Sequence, residues 1–320
     1  MAITRVRGGD PQALLDAARS GDRAALARLI SLVERGDDTA RAVGRATHPL
    51  GGGAYTVGVT GAPGAGKSTL TDRLLSHLRG AGTEVAVLAV DPSSPFSGGA
   101  ILGDRVRMQR HAGDPGVFIR SMATRGHVGG LALATPQALR VLDAAGFALV
   151  IVETVGVGQV EVEVAGAADT TVVVVNPGWG DAVQANKAGL LEAADVLVVN
   201  KSDRPGADEA ERDLAMMLDM DLDPGPWRPP VVRTVASTGQ GVAGLWDAVT
   251  AHRSFQETSG DLARRRALRV ADEVRAIVLH HLTVEVRQRC TGPAFDKAVG
   301  DVAAHRTDPW SAADQLLAGD

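Results

Sequence analysis

Apolar positions change their spacing twice along the chain. Up to about residue 50 they recur at helical intervals: Leu26, Leu29, Ile30 and Val33 fall at i, i+3, i+4 and i+7, one face of a helix. The pattern predicts a helix from Pro11, capped by Asp10, with proline at its first position. Further helices are expected over Arg23 to Arg35 and Asp38 to Thr47, and Pro49 to Gly53 reads as a linker. From Tyr55 the apolar runs become short and continuous: Val57 to Thr60, Val85 to Val90, Val117 to Arg120, Ala148 to Val152, Thr171 to Val175, Val196 to Val199 and Val231 to Val235. Helical stretches separate them, among them Thr69 to Arg79 with Leu70, Leu74, Leu75 and Leu78. Strands apolar on both sides belong to a parallel sheet with both faces covered. After Gly244 helical spacing returns, over Leu245 to Arg253, Asp261 to Arg289 and Asp308 to Leu317. The long helix carries Leu268, Val270, Val274, Ile277, Val278 and Leu282 largely on one stripe, which needs a covering surface from the same chain or a second copy. The expected class is α/β, a mostly parallel sheet with helices on both faces. Three parts are expected: a helical N-terminal extension (1–53) lying outside a nucleotide core (54–254), and a C-terminal helical arm (255–320).

In such sheets ligands sit beyond the carboxyl ends of the strands, and that is where the polar signals fall. Val57 to Leu70 reads strand, G-x-x-x-x-G-K-S, helix: the P-loop in its required context. Gly61, Ala62, Pro63, Gly64, Ala65 and Gly66 form the turn. Its glycines let successive N–H groups face one anion-binding hollow. The positive end of the helix that opens through Ser68 and Thr69 faces the same phosphates. Lys67 supplies a point charge for the β- and γ-phosphates, and Ser68 a hydroxyl for Mg²⁺.

The base is chosen downstream. Val196 to Val199 is followed by Asn200, Lys201, Ser202 and Asp203, an N-K-x-D at a strand end. A carboxylate at Asp203 accepts from guanine's N1–H and 2-amino group, a donor pair that adenine lacks. Asn200 is expected to fix the loop and meet the other edge of the base, with the Lys201 stem along the base plane. Ser237, Thr238 and Gly239, after the next strand, fit a loop whose backbone N–H closes over the guanine. Glu153-Thr154-Val155-Gly156 is a D-x-x-G arrangement with Glu for Asp. Glu153 would hold a Mg²⁺-bound water, and the Gly156 N–H would sense the γ-phosphate. Val157 stands where Ras-like GTPases place a water-orienting Gln, so intrinsic hydrolysis is expected to be slow, with Gln159, another loop or a partner assisting. Asp91 and Asp104 bracket a long Gly- and Ser-rich loop and could approach Mg²⁺ directly or through water. Arg120 to Gly130 forms a second glycine-rich loop, a switch or an ordinary connection. His280 and His281 point about 100° apart on a helix, and His127 has no second ligand at metal spacing, so no transition-metal site is expected.

Composition excludes several classes. A net charge of -5 argues against a general nucleic-acid coat. Aromatic content of 3% argues against base stacking as the main activity. One cysteine, Cys290, leaves no disulfide framework or Cys-rich zinc site. The first residues show no secretory h-region, and no apolar run reaches the roughly 18 residues of a membrane span. A cytoplasmic setting fits.

The blocks GAPGAGKST, DPSSPFSGGAILGDR, RSMATRGHVGGL, ETVGVGQ and NKSD, in this order and spacing, resemble the MeaB/ArgK/MMAA family of P-loop GTPases. The likeness is close from about Tyr55 to Thr250. It implies a GTP- and Mg²⁺-dependent chaperone for adenosylcobalamin-dependent methylmalonyl-CoA mutase, gating cofactor loading and protecting and reactivating the mutase. It also implies a homodimer held through the C-terminal helices. By position, Lys67 and Ser68 match the P-loop pair, Asp91, Asp104 and Glu153 the acids around Mg²⁺ and the switches, and Asn200, Lys201 and Asp203 the guanine site. Val160 departs from the serine that relatives commonly carry there. An older label for the family, an ATPase of lysine/arginine/ornithine transport, sits badly with N-K-S-D. The alternatives are a GTPase metallochaperone for nickel or another metalloenzyme, which would want a His-rich or Cys-Pro-His site, and a small-molecule P-loop kinase, which would leave N-K-S-D unexplained. A structural dimer keeping GTP as a fixed cofactor is separated from these by turnover alone.

Overall fold

A computed structural model describes residues 10–91, 108–111, 113–123, 130–154, 166–178, 193–220 and 225–318. By contact the chain divides into two compact units, Met1–Arg269 and Val270–Asp320. The first unit opens with α1 (Pro11–Arg19), α2 (Arg23–Val33) and α3 (Asp38–Thr47). Asp10, Asp22 and Asp37 cap them, each carboxylate accepting first-turn N–H groups that lack a helical partner. Then come β1 (Tyr55–Gly61), α4 (Lys67–Gly80), β2 (Val85–Asp91), β3 (Val117–Ala123), α5 (Gly130–Ala144), β4 (Leu149–Thr154), β5 (Thr170–Val175), β6 (Val196–Asn200), α6 (Ala207–Asp219), β7 (Val231–Thr234) and α7 (Val242–Ser259). The chain continues through α8 (Asp261–Arg289), α9 (Pro293–Ala303) and α10 (Pro309–Ala318).

The seven strands form one sheet in the order β3-β2-β4-β1-β5-β6-β7, every pairing parallel. Successive side chains leave a strand on opposite faces, so each apolar run feeds two cores. Val85, Val87, Val57, Val59 and Ile151 pack with Leu70, Leu74 and Leu78 of α4 and Leu245 and Val249 of α7. Ala86, Leu88, Val90, Val150 and Val152 pack on the other face with α1, α2 and α5. The N-terminal helices form part of the apolar layer on this face of the sheet: Leu15, Leu29 and Ile30 are fully buried there. The helices α6 and α9 are not evident from apolar spacing, and α7 runs past its expected end at Arg253. The extension has a physical cause. Gln256, fully buried, donates to Asp169 O at 2.9 Å and accepts from the Tyr55 hydroxyl at 3.0 Å, which holds another turn of α7 under the sheet.

A charged network closes the amino end of the sheet. Asp169, 1% exposed, accepts from the Thr56 N–H at 3.0 Å, and Arg266 meets it with Nε and Nη2 at 3.0 and 2.7 Å. Arg269 completes the group. Burial pushes the Asp169 carboxyl up, but the Arg266 hydrogen bonds and the two guanidinium charges outweigh it and hold it below the usual carboxylate range. Beside it Asp195 accepts from Thr171 N at 2.8 Å and from Arg265 at 2.9 Å.

The second unit comprises α9, α10 and the remainder of α8. Its helices surround an apolar cleft of about 530 Å³ lined by Val286, Cys290, Phe295, Val299, Ala312 and Leu316. No helix among the described residues is long and apolar enough to cross a membrane.

Candidate functional site: a phosphate loop bonded to a base loop

Sheet order sets the site. The carboxyl ends of β2, β4, β1, β5 and β6 lie side by side, bringing together the last residues of strands far apart in sequence. Gly61 ends β1 with φ 134°, and a Cβ there would fall 2.0 Å from the Val174 carbonyl of β5. Only glycine permits this approach. Gly66 has φ 94°, and its Cβ would meet Asn200 Nδ2 at 2.5 Å. The helix α4 starts at Lys67 with no side-chain cap, so its first N–H groups and the positive end of its dipole are directed into the loop. Lys67 is 6% exposed and donates to Gly61 O at 2.7 Å and Ala62 O at 3.1 Å, which sets the ammonium across the mouth of the loop. Ser68 is equally buried, whereas Pro63, Gly64 and Thr69 are exposed and Ala62 half-buried.

Glu153 stands on the neighbouring strand, opposite Val59 and fully buried. Next to it the Thr154 hydroxyl donates to Thr60 Oγ1 at 3.1 Å, tying the ends of β4 and β1 together. Asp91 ends β2, in line with them. Asp104, Gly156, Val157, Gln159, Val160 and His127 lie outside the described residues. Among the described residues no group of three His, Cys, Asp or Glu could hold a metal ion by itself.

The N-K-S-D strand end is joined directly to the P-loop. Asn200, 1% exposed, donates from Nδ2 to Ala65 O at 2.8 Å, while its Oδ1 accepts from Thr234 Oγ1 and the Ala236 N–H, each at 3.1 Å. It thus fastens the P-loop, the end of β7 and the loop after it. The sequence assigns Asn200 both a fastening role and a contact with the base; its bonds to Ala65, Thr234 and Ala236 are of the fastening kind. Lys201 adopts φ 57°, unusual for a residue with a side chain. This turns its stem over the loop, where Nζ donates to Gly64 O at 2.7 Å. Asp203 follows, exposed. Ser237 and Thr238 are exposed as well, and Gly239 closes the turn through its N–H to Val235 O at 2.9 Å. Two residues here escape sequence reasoning. Thr60 and Arg73 match no motif, and their partners lie far along the chain, at Thr154 and at Ala236 and Ser237.

The P-loop, the N-K-S-D strand end and the loop after β7, the expected base loop, are one bonded unit built on a parallel sheet, the arrangement of a P-loop GTPase. A family model described as "Methylmalonyl Co-A mutase-associated GTPase MeaB" matches residues 26–291. The chain is 51% identical over 307 residues to a putative GTPase of Pyrococcus abyssi, covering 95% of both chains. It is 37% identical to GTPase ArgK of Escherichia coli, over 82% of this chain and 83% of the relative. It is 35% identical to the mouse mitochondrial methylmalonic aciduria type A homolog, over 82% of this chain and 65% of that one. A crystal structure of an LAO/AO transport system kinase superposes with a TM-score of 0.72 at 27% identity, covering 99% of this chain and 98% of that one. The chain belongs to the MeaB family of mutase-associated GTPases.

Proposed function

We propose that this chain is a GTP-driven switch that assists an adenosylcobalamin-dependent methylmalonyl-CoA mutase, gating cofactor loading and protecting and reactivating the enzyme. The observation that carries the switch is the direct bonding of the base-reading strand end to the phosphate loop through Asn200 and Lys201. The choice of partner draws support from the description of the family model and from the name of the mouse relative. Lys67 and the first N–H groups of α4 would stabilise charge on the γ-phosphate in transfer to water, and the Gly156 N–H would sense that phosphate. Mg²⁺ fits the donors present: the Ser68 hydroxyl at the start of α4 and the Glu153 carboxylate near the end of β4 are hard oxygen ligands, both buried. Asp91 and Asp104 would complete the set. Held by these residues, Mg²⁺ would supply positive charge to offset that of the phosphates. The exposed row Val270, Val274, Val278 and Leu282 on α8 supports a homodimer through the C-terminal helices.

The partner is tested by pull-down with methylmalonyl-CoA mutase, in GDP and in a non-hydrolysable GTP analogue. A complex whose amount depends on the nucleotide is expected, and no complex in either state would sink the chaperone reading. The base assignment is tested separately. Asp203→Asn is expected to weaken GDP binding roughly 10- to 100-fold, from loss of charge-assisted hydrogen bonds. It is expected to strengthen binding of xanthosine diphosphate, whose 2-oxo group accepts from an amide. Unchanged GDP affinity would reject Asp203 as the base-reading residue.

A further inference from the structure

Arg73 extends from α4 to the base loop, and none of the nucleotide motifs includes it. Its Nε donates to Ala236 O at 3.1 Å and its Nη2 to Ser237 O at 2.5 Å. The other N–H groups of this loop are occupied. Ala236 N donates to Asn200 Oδ1 at 3.1 Å, Thr238 N and Gly239 N to Val235 O at 3.0 and 2.9 Å, and Gln240 N to Thr238 Oγ1 at 3.4 Å. The Ser237 N–H remains, with no protein acceptor among the described residues and on an exposed residue. The peptide joining Ala236 to Ser237 is trans and planar, so its C=O and N–H point in opposite directions. By holding the Ala236 carbonyl, Arg73 sets the direction of the Ser237 N–H. Asn200 holds the preceding peptide through the Ala236 N–H, and Arg73 the following one through the Ser237 carbonyl. The remaining donor is therefore clamped on both sides.

The geometry points to Arg73 as a positioning residue for guanine selection: it aims the Ser237 N–H at the O6 acceptor of the base. O6 is the acceptor beside N1 on guanine, next to the donors assigned to Asp203. Adenine carries an amino group at that position, so an aimed N–H rejects it. This inference rests on the guanine reading of the preceding section. It adds that discrimination at position 6 is set by a residue of the phosphate-binding helix. The same helix would then order the phosphate side and the base side together.

The test compares GDP with 6-thioguanosine diphosphate, which keeps the N1–H and 2-amino donors that face Asp203 but carries sulfur, a weak acceptor, in place of O6. For the intact protein GDP is expected to bind about tenfold more tightly than the analogue, from the weakened hydrogen bond at position 6. In Arg73→Ala the affinity for GDP is expected to fall about tenfold while that for the analogue falls much less. Arg73→Lys keeps the stem and charge but reaches one carbonyl at a time, and is expected to give a smaller loss of the same selectivity. It carries the test if the alanine variant does not fold. Equal weakening of both nucleotides would mark Arg73 as a structural pin and overturn the inference, as would no change in either. Asp203→Asn run in parallel separates the two levels. If it leaves GDP binding intact, the guanine reading itself has failed. If it weakens GDP while the Arg73 variants keep full selectivity, only the positioning role has.

Discussion

Lys67→Ala is expected to lower single-turnover GTP hydrolysis on the order of 10²- to 10³-fold, the range for removing one preorganised charge-stabilising donor. The ammonium is already preorganised: it is buried at 6% exposure and held within hydrogen-bond distance of two loop carbonyls, so little reorganisation is needed when charge develops on the γ-phosphate. Such a group acts on the transition state more than on bound nucleotide, so the hydrolysis rate is expected to fall further than GDP affinity. Single-turnover measurement with prebound GTP separates the two quantities. A rate within about threefold of the parent would place the catalytic charge elsewhere. The parent rate itself is expected to be low, because Val157 cannot orient water.

Asp169→Asn is expected to destabilise the first unit by about 3 kcal/mol, the lower end of the range for removing one partner of a buried ion pair. The lower end applies because the Arg266 and Arg269 side chains are 30% and 25% exposed and so partly screened. The carboxylate is 1% exposed and bonds Thr56 of β1 as well as both arginines, so its loss unfastens the start of α8 from the sheet. Urea unfolding followed by circular dichroism measures the shift. The pH dependence has a definite sign. The folded-state carboxyl is held below its ordinary value, so its contribution is complete above the unfolded-state pKa of about 3.9. That contribution is lost as pH falls through the lower folded-state value. Asp169→Asn should therefore flatten the acid limb of the stability profile and leave the neutral region uniformly lowered. An unchanged acid limb would show that Asp169 is not among the groups that titrate on acid unfolding.

Much of the fold is legible from apolar spacing because sheet and helix have different periods, and the inner strands β1, β4, β5 and β6 are buried on both sides. The helices α6 and α9 are less legible. In α6 only Ala207, Ala210 and Leu214 are buried, with Met216 and Met217 exposed, and α9 buries no residue fully, so spacing carries little signal. The end of α7 at Ser259 depends on Gln256, a polar residue whose burial is decided by partners on β1 and just before β5.

The amino-acid sequence by itself determined the nucleotide class. A P-loop is a contiguous stretch whose glycines and helix start shape one backbone hollow, and N-K-S-D is likewise local to one strand end. Only the tertiary structure decided how these pieces work together. Asn200 serves as a fastener because parallel pairing brings the ends of β1, β5, β6 and β7 into line, setting its amide against Ala65 and Ala236. The same alignment sets Arg73 against the base loop and makes α1 to α3 part of the core. Such contacts depend on strand order and register, which link residues far apart in the chain, and no spacing between neighbouring residues encodes them.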